Sequence, residues 1–241
     1  EHVVAVNLLE AFPTVKRLAL HLPVPKLAAT RKRLHAKAPG TTPWKQLVAH
    51  KPIRNWAEPT ASDLAVVQYT SGTIGAFKGA MLTHRNLYAN ALQGAAWMKD
   101  AKDGKETIYA VLPMFHAFGM TLYLTFGMLK RARIVLFPTF DVDMVLDAAK
   151  KRPPTVYCAV PPIYEKTARR AIERKVSLKS ARFCISGAMK LTDPVVELWE
   201  SVSGGLLVEG YGLTETAPVA LGNPFWPTRR TGTIGGPFRS T

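Results

Sequence analysis

From Asp63 onward, short apolar runs rich in β-branched residues alternate with longer stretches in which apolar positions recur every three or four residues. The short runs are Leu64–Tyr69, Thr107–Leu112, Arg133–Phe137, Thr155–Val160, Arg182–Ser186 and Leu206–Glu209. Their length and composition predict strands. The helical patterns between them cover Arg85–Met98, Met120–Leu129, Val142–Lys150, Ile163–Arg174 and Pro194–Val202. Strand and helix in alternation predict an α/β fold with a largely parallel sheet covered by helices on both faces. Such folds bind ligands in loops beyond the carboxyl ends of strands. The first 60 residues keep no such rhythm, and "LPVPKLAATRKRLHAKAPGTTPW" reads as helix and connector over a surface. No internal repeat is evident.

One segment invites a different reading. Tyr109–Leu129 runs for 21 residues without Asp, Glu, Lys or Arg, and Lys130, Arg131 and Arg133 follow it. That length suits a membrane span with a basic flank. Pro113, His116, Gly119 and Gly127 interrupt it, however, and favour a strand, a turn and a buried helix.

Composition narrows the class. With 47% apolar and 20% charged residues the chain is globular, and 241 residues make one large or two small domains. Cys158 and Cys184 have no paired spacing, so neither a zinc site nor a disulfide framework is expected, only buried thiols. Lys plus Arg number 32 against 17 Asp plus Glu, a net charge of +15. Such a chain attracts anions: nucleic acid, anionic lipid or phosphorylated small molecules. The basic clusters are dispersed, with no aromatic-interleaved stripe, so specific nucleic-acid recognition is not expected.

Three loops after predicted strands carry unusual chemistry. The first is "YTSGTIGAFKG", Tyr69 to Gly79. Glycines bring backbone N–H groups close to phosphate, hydroxyls add donors, and Lys78 adds a point charge. A Walker loop would place Gly before Lys and Ser or Thr after it; the order Phe77-Lys78-Gly79 excludes that. A glycine-rich turn joining two strands is the other reading. The second loop, "VEGYGLTETAP", holds Tyr211 to stack on a flat ring, Thr214 as a phosphate donor, and Glu215, a hard oxygen ligand for Mg²⁺. A polar turn with a solvent-facing Glu competes with it. In the third, "CISGAMKL", small residues at a strand end admit a ligand or another backbone.

In order along the chain, "YTSGTIGAFKGAMLTHRNL", "LPMFHAFGM", "SGAMKL" and "EGYGLTET" together resemble the adenylate-forming superfamily of acyl-CoA synthetases, luciferases and adenylation domains. Within it, "THRNLYANALQGAAW" and "EGYGLTETAPVALGNP" look most like bacterial long-chain fatty-acid–CoA ligases. The resemblance implies that residues 63–241 are the AMP-binding core and residues 1–62 an N-terminal connector and helical region. It also implies a small C-terminal domain that this sequence does not reach. It implies that Thr70, Ser71, Gly72, Thr73, Gly75 and Lys78 embrace the β- and γ-phosphates of ATP. Gly187, Ala188 and Met189 would line the adenine pocket, with Gly210, Tyr211 and Gly212 beside the ring. Thr214 would touch the α-phosphate, Glu215 would bind Mg²⁺, and His116 would lie near the acyl carboxylate. The apolar segment Phe115–Leu129 would wall the acyl tunnel. Coenzyme A enters as co-substrate, and the expected location is cytoplasmic, with peripheral contact at the inner membrane face.

The sequence departs from the family at two loop positions, with Ile74 where Thr is usual and Phe77 where Pro is usual. Ile74 deletes a hydroxyl, and a donor lost from a charged group costs about 1.5–3 kcal/mol. A long-chain acyl-CoA ligase fragment, inactive alone, is the leading expectation. A relative activating another acid, and a catalytically dead remnant that binds nucleotide or anionic membrane, are the alternatives.

Overall fold

The computed structural model describes residues 3–34, 38–70 and 77–240. The chain forms two compact units, Glu1–Glu58 and Pro59–Thr241. In the first unit, β1 (Val4–Ala5) pairs in parallel with β2 (Thr42–Pro43). Among the described residues, a short 3₁₀ helix (Leu8–Ala11) and three α-helices accompany this pair: α1 (Thr14–Ala19), α2 (Pro25–Leu34) and α3 (Trp44–Val48).

The second unit opens with a hairpin. β3 (Leu64–Thr70) pairs antiparallel with β4 (Lys78–Thr83), Thr70 opposite Lys78. The first predicted strand is thus outside the parallel sheet, and the glycine-rich segment joins strand to strand. Helix α4 (His84–Trp97) follows at once. Its start is fixed by a capping box: the Asn86 N–H donates to Thr83 Oγ1, and the Thr83 N–H donates to Asn86 Oδ1 at 2.9 Å.

The remaining strands build a seven-stranded sheet. In chain order they are β5 (Thr107–Ala110), β6 (Arg133–Leu136), β7 (Val156–Ala159), β8 (Phe183–Ser186), β9 (Leu207–Gly212), β10 (Val219–Gly222) and β11 (Gly236–Pro237). Their spatial order is β11-β10-β9-β8-β7-β5-β6. β6 to β9 are parallel through β5, while β10 and β11 add antiparallel at one edge. Between β5 and β6, α5 (Ala117–Gly119) runs through a π-helical stretch, Met120–Thr125, into α6 (Phe126–Leu129). The uncharged segment is therefore a strand, a turn and a buried helix. Among the described residues no helix is long and apolar enough to cross a membrane.

The other helices are α7 (Val142–Lys151), α8 (Pro161–Glu173) and α9 (Asp193–Val202). Asp141 caps α7 by accepting from the Met144 N–H at 2.9 Å, and prolines open α8 and α9, where no N–H partner exists to be lost.

Both faces of the sheet are covered, which explains why its strands read as unbroken apolar runs. Successive side chains point to opposite faces. Along β7, Val156 and Cys158 enter the layer beneath α4 and the π-helical stretch, while Tyr157 and Ala159 enter the layer beneath α7, α8 and α9. Cys184, opposite Tyr157 in the register, faces the second layer. The two thiols are thus on opposite faces. Burial pushes that of Cys184 up to about 12 and that of Cys158 further, so both stay protonated and inert.

Candidate active site

A cavity of about 630 Å³ opens at the carboxyl ends of β8 and β9 and runs down between the sheet and the helices of the first layer. That volume is in the range of small-molecule sites. Its polar end is built from backbone. Gly187 and Ala188 follow β8, Gly210, Tyr211 and Gly212 end β9, and Thr214 and Glu215 occupy the next turn. A Cβ on Gly212 would lie 2.0 Å from the Pro218 carbonyl oxygen, so only glycine lets the strand and the returning chain approach this closely. Ala188 has a φ of 63°, a left-handed conformation unusual for a residue with a side chain, and it turns the chain across the cavity mouth.

The turn carrying Thr214 and Glu215 is tied down from several directions. The Leu213 N–H donates to Thr216 Oγ1 at 3.0 Å and to the Pro218 carbonyl at 3.0 Å. Thr121, in the π-helical stretch, donates its hydroxyl to the Ala217 carbonyl at 2.9 Å. Such stretches recur at functional sites because they re-aim side chains that regular helix would send elsewhere. Here Thr121 and Leu122 both line the cavity.

His116 sits at the start of α5, and its Nδ1 accepts from the Phe118 N–H at 3.3 Å. That bond leaves Nε2 as the ring nitrogen free for a ligand. Gly119 makes the turn possible, because a Cβ there would stand 2.3 Å from the Pro113 carbonyl oxygen. Thr70 and Lys78, paired where the hairpin strands meet their connecting loop, complete the polar rim.

Glu209 was read from sequence only as a strand end. It lines the cavity with 9% of its surface exposed. One carboxylate oxygen accepts from the Leu191 N–H at 3.5 Å; the other is buried without a partner among the described residues. Burial raises its pKa, partly offset by that N–H and by the charge of Lys190. An orphaned acceptor in a cavity wall asks for a donor from a ligand or water.

Of the residues expected at the site, Thr70, Lys78, His116, Gly187, Ala188, Gly210, Tyr211, Gly212, Thr214 and Glu215 meet at one cavity. Met189 does not line it and is half-exposed. Ser71, Gly72, Thr73, Ile74 and Gly75 lie outside the described residues. Phe77 is 76% exposed and contributes no bulk to the cavity. Of the proposed apolar wall, Phe118, Leu122 and Phe126 line it, whereas Phe115 is 85% exposed. The face of α4, with Asn90, Gly94 and Trp97, and the C-cap Met98 supply a second wall that the motifs did not reveal.

The family model for AMP-binding enzymes matches residues 3–241. The chain belongs to the AMP-binding family. It is 40% identical over 179 residues to a long-chain-fatty-acid–CoA ligase of Bacillus subtilis, a match covering 74% of this chain and 32% of that one. A ligase of the same description from Salmonella typhimurium is 30% identical over 245 residues, covering 100% of this chain and 43% of the relative. Among solved structures, ATP-bound MatB from Rhodopseudomonas palustris superposes with a TM-score of 0.70 at 25% identity, over 98% of this chain and 44% of that one. A long-chain-fatty-acid–CoA ligase from Archaeoglobus fulgidus gives 0.64 at 29% identity, over 73% and 36%. The chain therefore spans less than half the length of these AMP-binding relatives.

Proposed function

We propose that residues 59–241 hold the nucleotide and acyl substrates of a long-chain fatty-acid–CoA ligase. The observation that carries this reading is a single cavity with two chemistries. Its polar end holds Lys78, His116, Thr214 and Glu215, and its deep part is lined by Phe118, Leu122, Phe126, Ile185 and Val208. A molecule with a charged head and an apolar tail matches both parts. The names of the two bacterial relatives support the fatty acid as that molecule.

In the proposed reaction a carboxylate oxygen attacks the α-phosphorus of ATP and the bond to the β-phosphate oxygen breaks, giving acyl-adenylate and pyrophosphate. The thiol sulfur of coenzyme A then attacks the acyl carbon, loses its proton, and AMP leaves. Negative charge shifts over the phosphate oxygens in the first step, so donors fixed beforehand lower its barrier. Lys78 and the loop after Thr70 would receive the β- and γ-phosphates, and Thr214 the α-phosphate. His116, donating from Nε2, would orient the carboxylate. Gly187, Ala188, Gly210, Tyr211 and Gly212 would frame the adenine. Glu209, with its unpartnered oxygen on the same wall, is an acceptor suited to an amino group there.

The donor set fits Mg²⁺ only as an ion carried on phosphate. No cluster of three metal-ligating side chains exists among the described residues, and Glu215 is one exposed-side carboxylate at the cavity. One carboxylate plus substrate phosphates is a usual Mg²⁺ environment. When bound, Mg²⁺ supplies charge to neutralise the phosphate oxygens.

A net charge of +15 also supports a peripheral association with an anionic membrane face, where long-chain acids partition. Calorimetric titration of ATP, with Mg²⁺ and with chelator, tests the nucleotide part of the reading. Binding that depends on Mg²⁺, with the dependence lost in Glu215→Gln, is the expected result. Identical titrations in the two buffers refute the assignment.

A further inference from the structure

Resting on the acyl-activation reading, we infer that the stacked pair Trp97–Phe238 closes the apolar branch of the cavity and sets the length of acyl chain it takes. Three residues of α4, Asn90, Gly94 and Trp97, and Met98 at its C-cap line the cavity, at spacings of four, seven and eight from Asn90. They form one face of the helix. At 1.5 Å per residue, this face runs for about 12 Å from Asn90 to Met98. Asn90 is at the polar end, bonded to Val219 beside the turn of Thr214 and Glu215. Trp97 and Met98 therefore mark the far end.

There the ring of Trp97 stacks on that of Phe238, with centroids 4.5 Å apart and planes 26° from parallel. The pair is held in place. Trp97 Nε1 donates to the Asn223 carbonyl at 2.9 Å, and Asn223 is itself fixed by the Arg230 N–H at 3.0 Å and by its bond to the Glu209 carbonyl at 2.9 Å. The Phe238 N–H donates to the Ala220 carbonyl at 2.9 Å. Gly222 makes room for the stack, since a Cβ there would lie 2.8 Å from the Phe238 ring and 3.5 Å from Trp97 Nε1.

Gly94 has the opposite meaning. A Cβ built on it meets only the Phe126 ring, at 3.7 Å, and nothing else within 4 Å. Its missing side chain is open space in the middle of the branch. An extended alkyl chain advances about 1.3 Å per carbon, from bonds of about 1.5 Å at tetrahedral angles. The branch thus takes about nine carbons below Asn90, and the tail of an acid of about ten to twelve carbons meets the Trp97–Phe238 pair.

The test is calorimetric binding of saturated fatty acids from eight to eighteen carbons, below their micellar concentrations, to the 241-residue chain and two variants. In the wild type each added methylene strengthens binding about fourfold until the tail reaches the stack, and the gain then stops. Trp97→Ala moves that break to acids about two to four carbons longer. Gly94→Leu moves it to shorter acids by a similar amount. The second variant replaces a helix-interior glycine by a strong helix former, so it folds even if the first does not. A length profile that is the same in Gly94→Leu and the wild type overturns the inference and leaves the acyl-activation reading standing. Failure of acids of every length to bind, in a chain that binds ATP, overturns both.

Discussion

Asn90 grips Val219 by both of its main-chain groups. The side-chain Nδ2 donates to the Val219 carbonyl at 2.7 Å, and Oδ1 accepts from the Val219 N–H at 3.2 Å, across 129 residues of sequence. Val219 opens β10 at a register shift, so its backbone bonds are not all met by the neighbouring strand. One buried amide on α4 thereby fixes where the chain re-enters the sheet after the turn of Thr214 and Glu215. Asn90→Ala removes both bonds and leaves two backbone groups unpaired. The expected loss is about 3 kcal/mol of stability, read as a lower urea midpoint at unchanged slope. ATP affinity should fall with it.

Gly212 gives a sharper contrast. Its missing Cβ would meet the Pro218 carbonyl oxygen and carbon at 2.0 and 2.7 Å, and backbone cannot move aside as a flexible side chain can. Gly212→Ala is expected to cost about 3 kcal/mol and to displace Thr214 and Glu215 from the cavity. Gly236→Ala, where a Cβ meets nothing within 4 Å, should stay within about 0.5 kcal/mol of wild type. Equal thermal shifts for the two variants would count against the close approach.

Glu209 yields a pH dependence with a definite sign. Burial raises its pKa, so the folded protein holds the proton more tightly than the unfolded chain does. Stability therefore falls as pH rises from the ordinary carboxylate value of 4.5 through the higher folded value. Glu209→Gln removes that titration. Relative to the variant, wild type should lose stability across this window, with the difference small below it and complete above it. Parallel melting curves for the two proteins from pH 4 to pH 8 would contradict the burial of this carboxylate.

Sequence and structure agree where one physical cause dominates. Val156 to Ala159 reads as a buried strand because both faces of the sheet are covered, and its alternate side chains enter two different cores. The hairpin was legible only as the second reading of the glycine-rich loop. "LAVVQYT" has the apolar content of a sheet strand, and its partner "KGAMLT" is short and begins with Lys and Gly. Pairing, which decides the matter, is a long-range property. The three site loops stood out because glycines, hydroxyls and charges are conspicuous together. The α4 wall did not, since Asn90, Gly94, Trp97 and Met98 follow the ordinary stripe of a buried helix face. Gly94 in particular reads as a blemish in a helix until the space beside it is seen.

The placement of the two cysteines equips each layer of the core with its own reporter. Cys158 is sealed beneath α4 and the π-helical stretch, and Cys184 beneath α7 to α9. Neither reacts with a thiol reagent until its layer parts from the sheet. The rates at which the two positions become labelled therefore time the opening of the substrate-facing layer and of the supporting layer independently. Slower labelling at Cys158 when substrate is added, with Cys184 unchanged, would locate the stabilisation on the side of the sheet that holds the cavity.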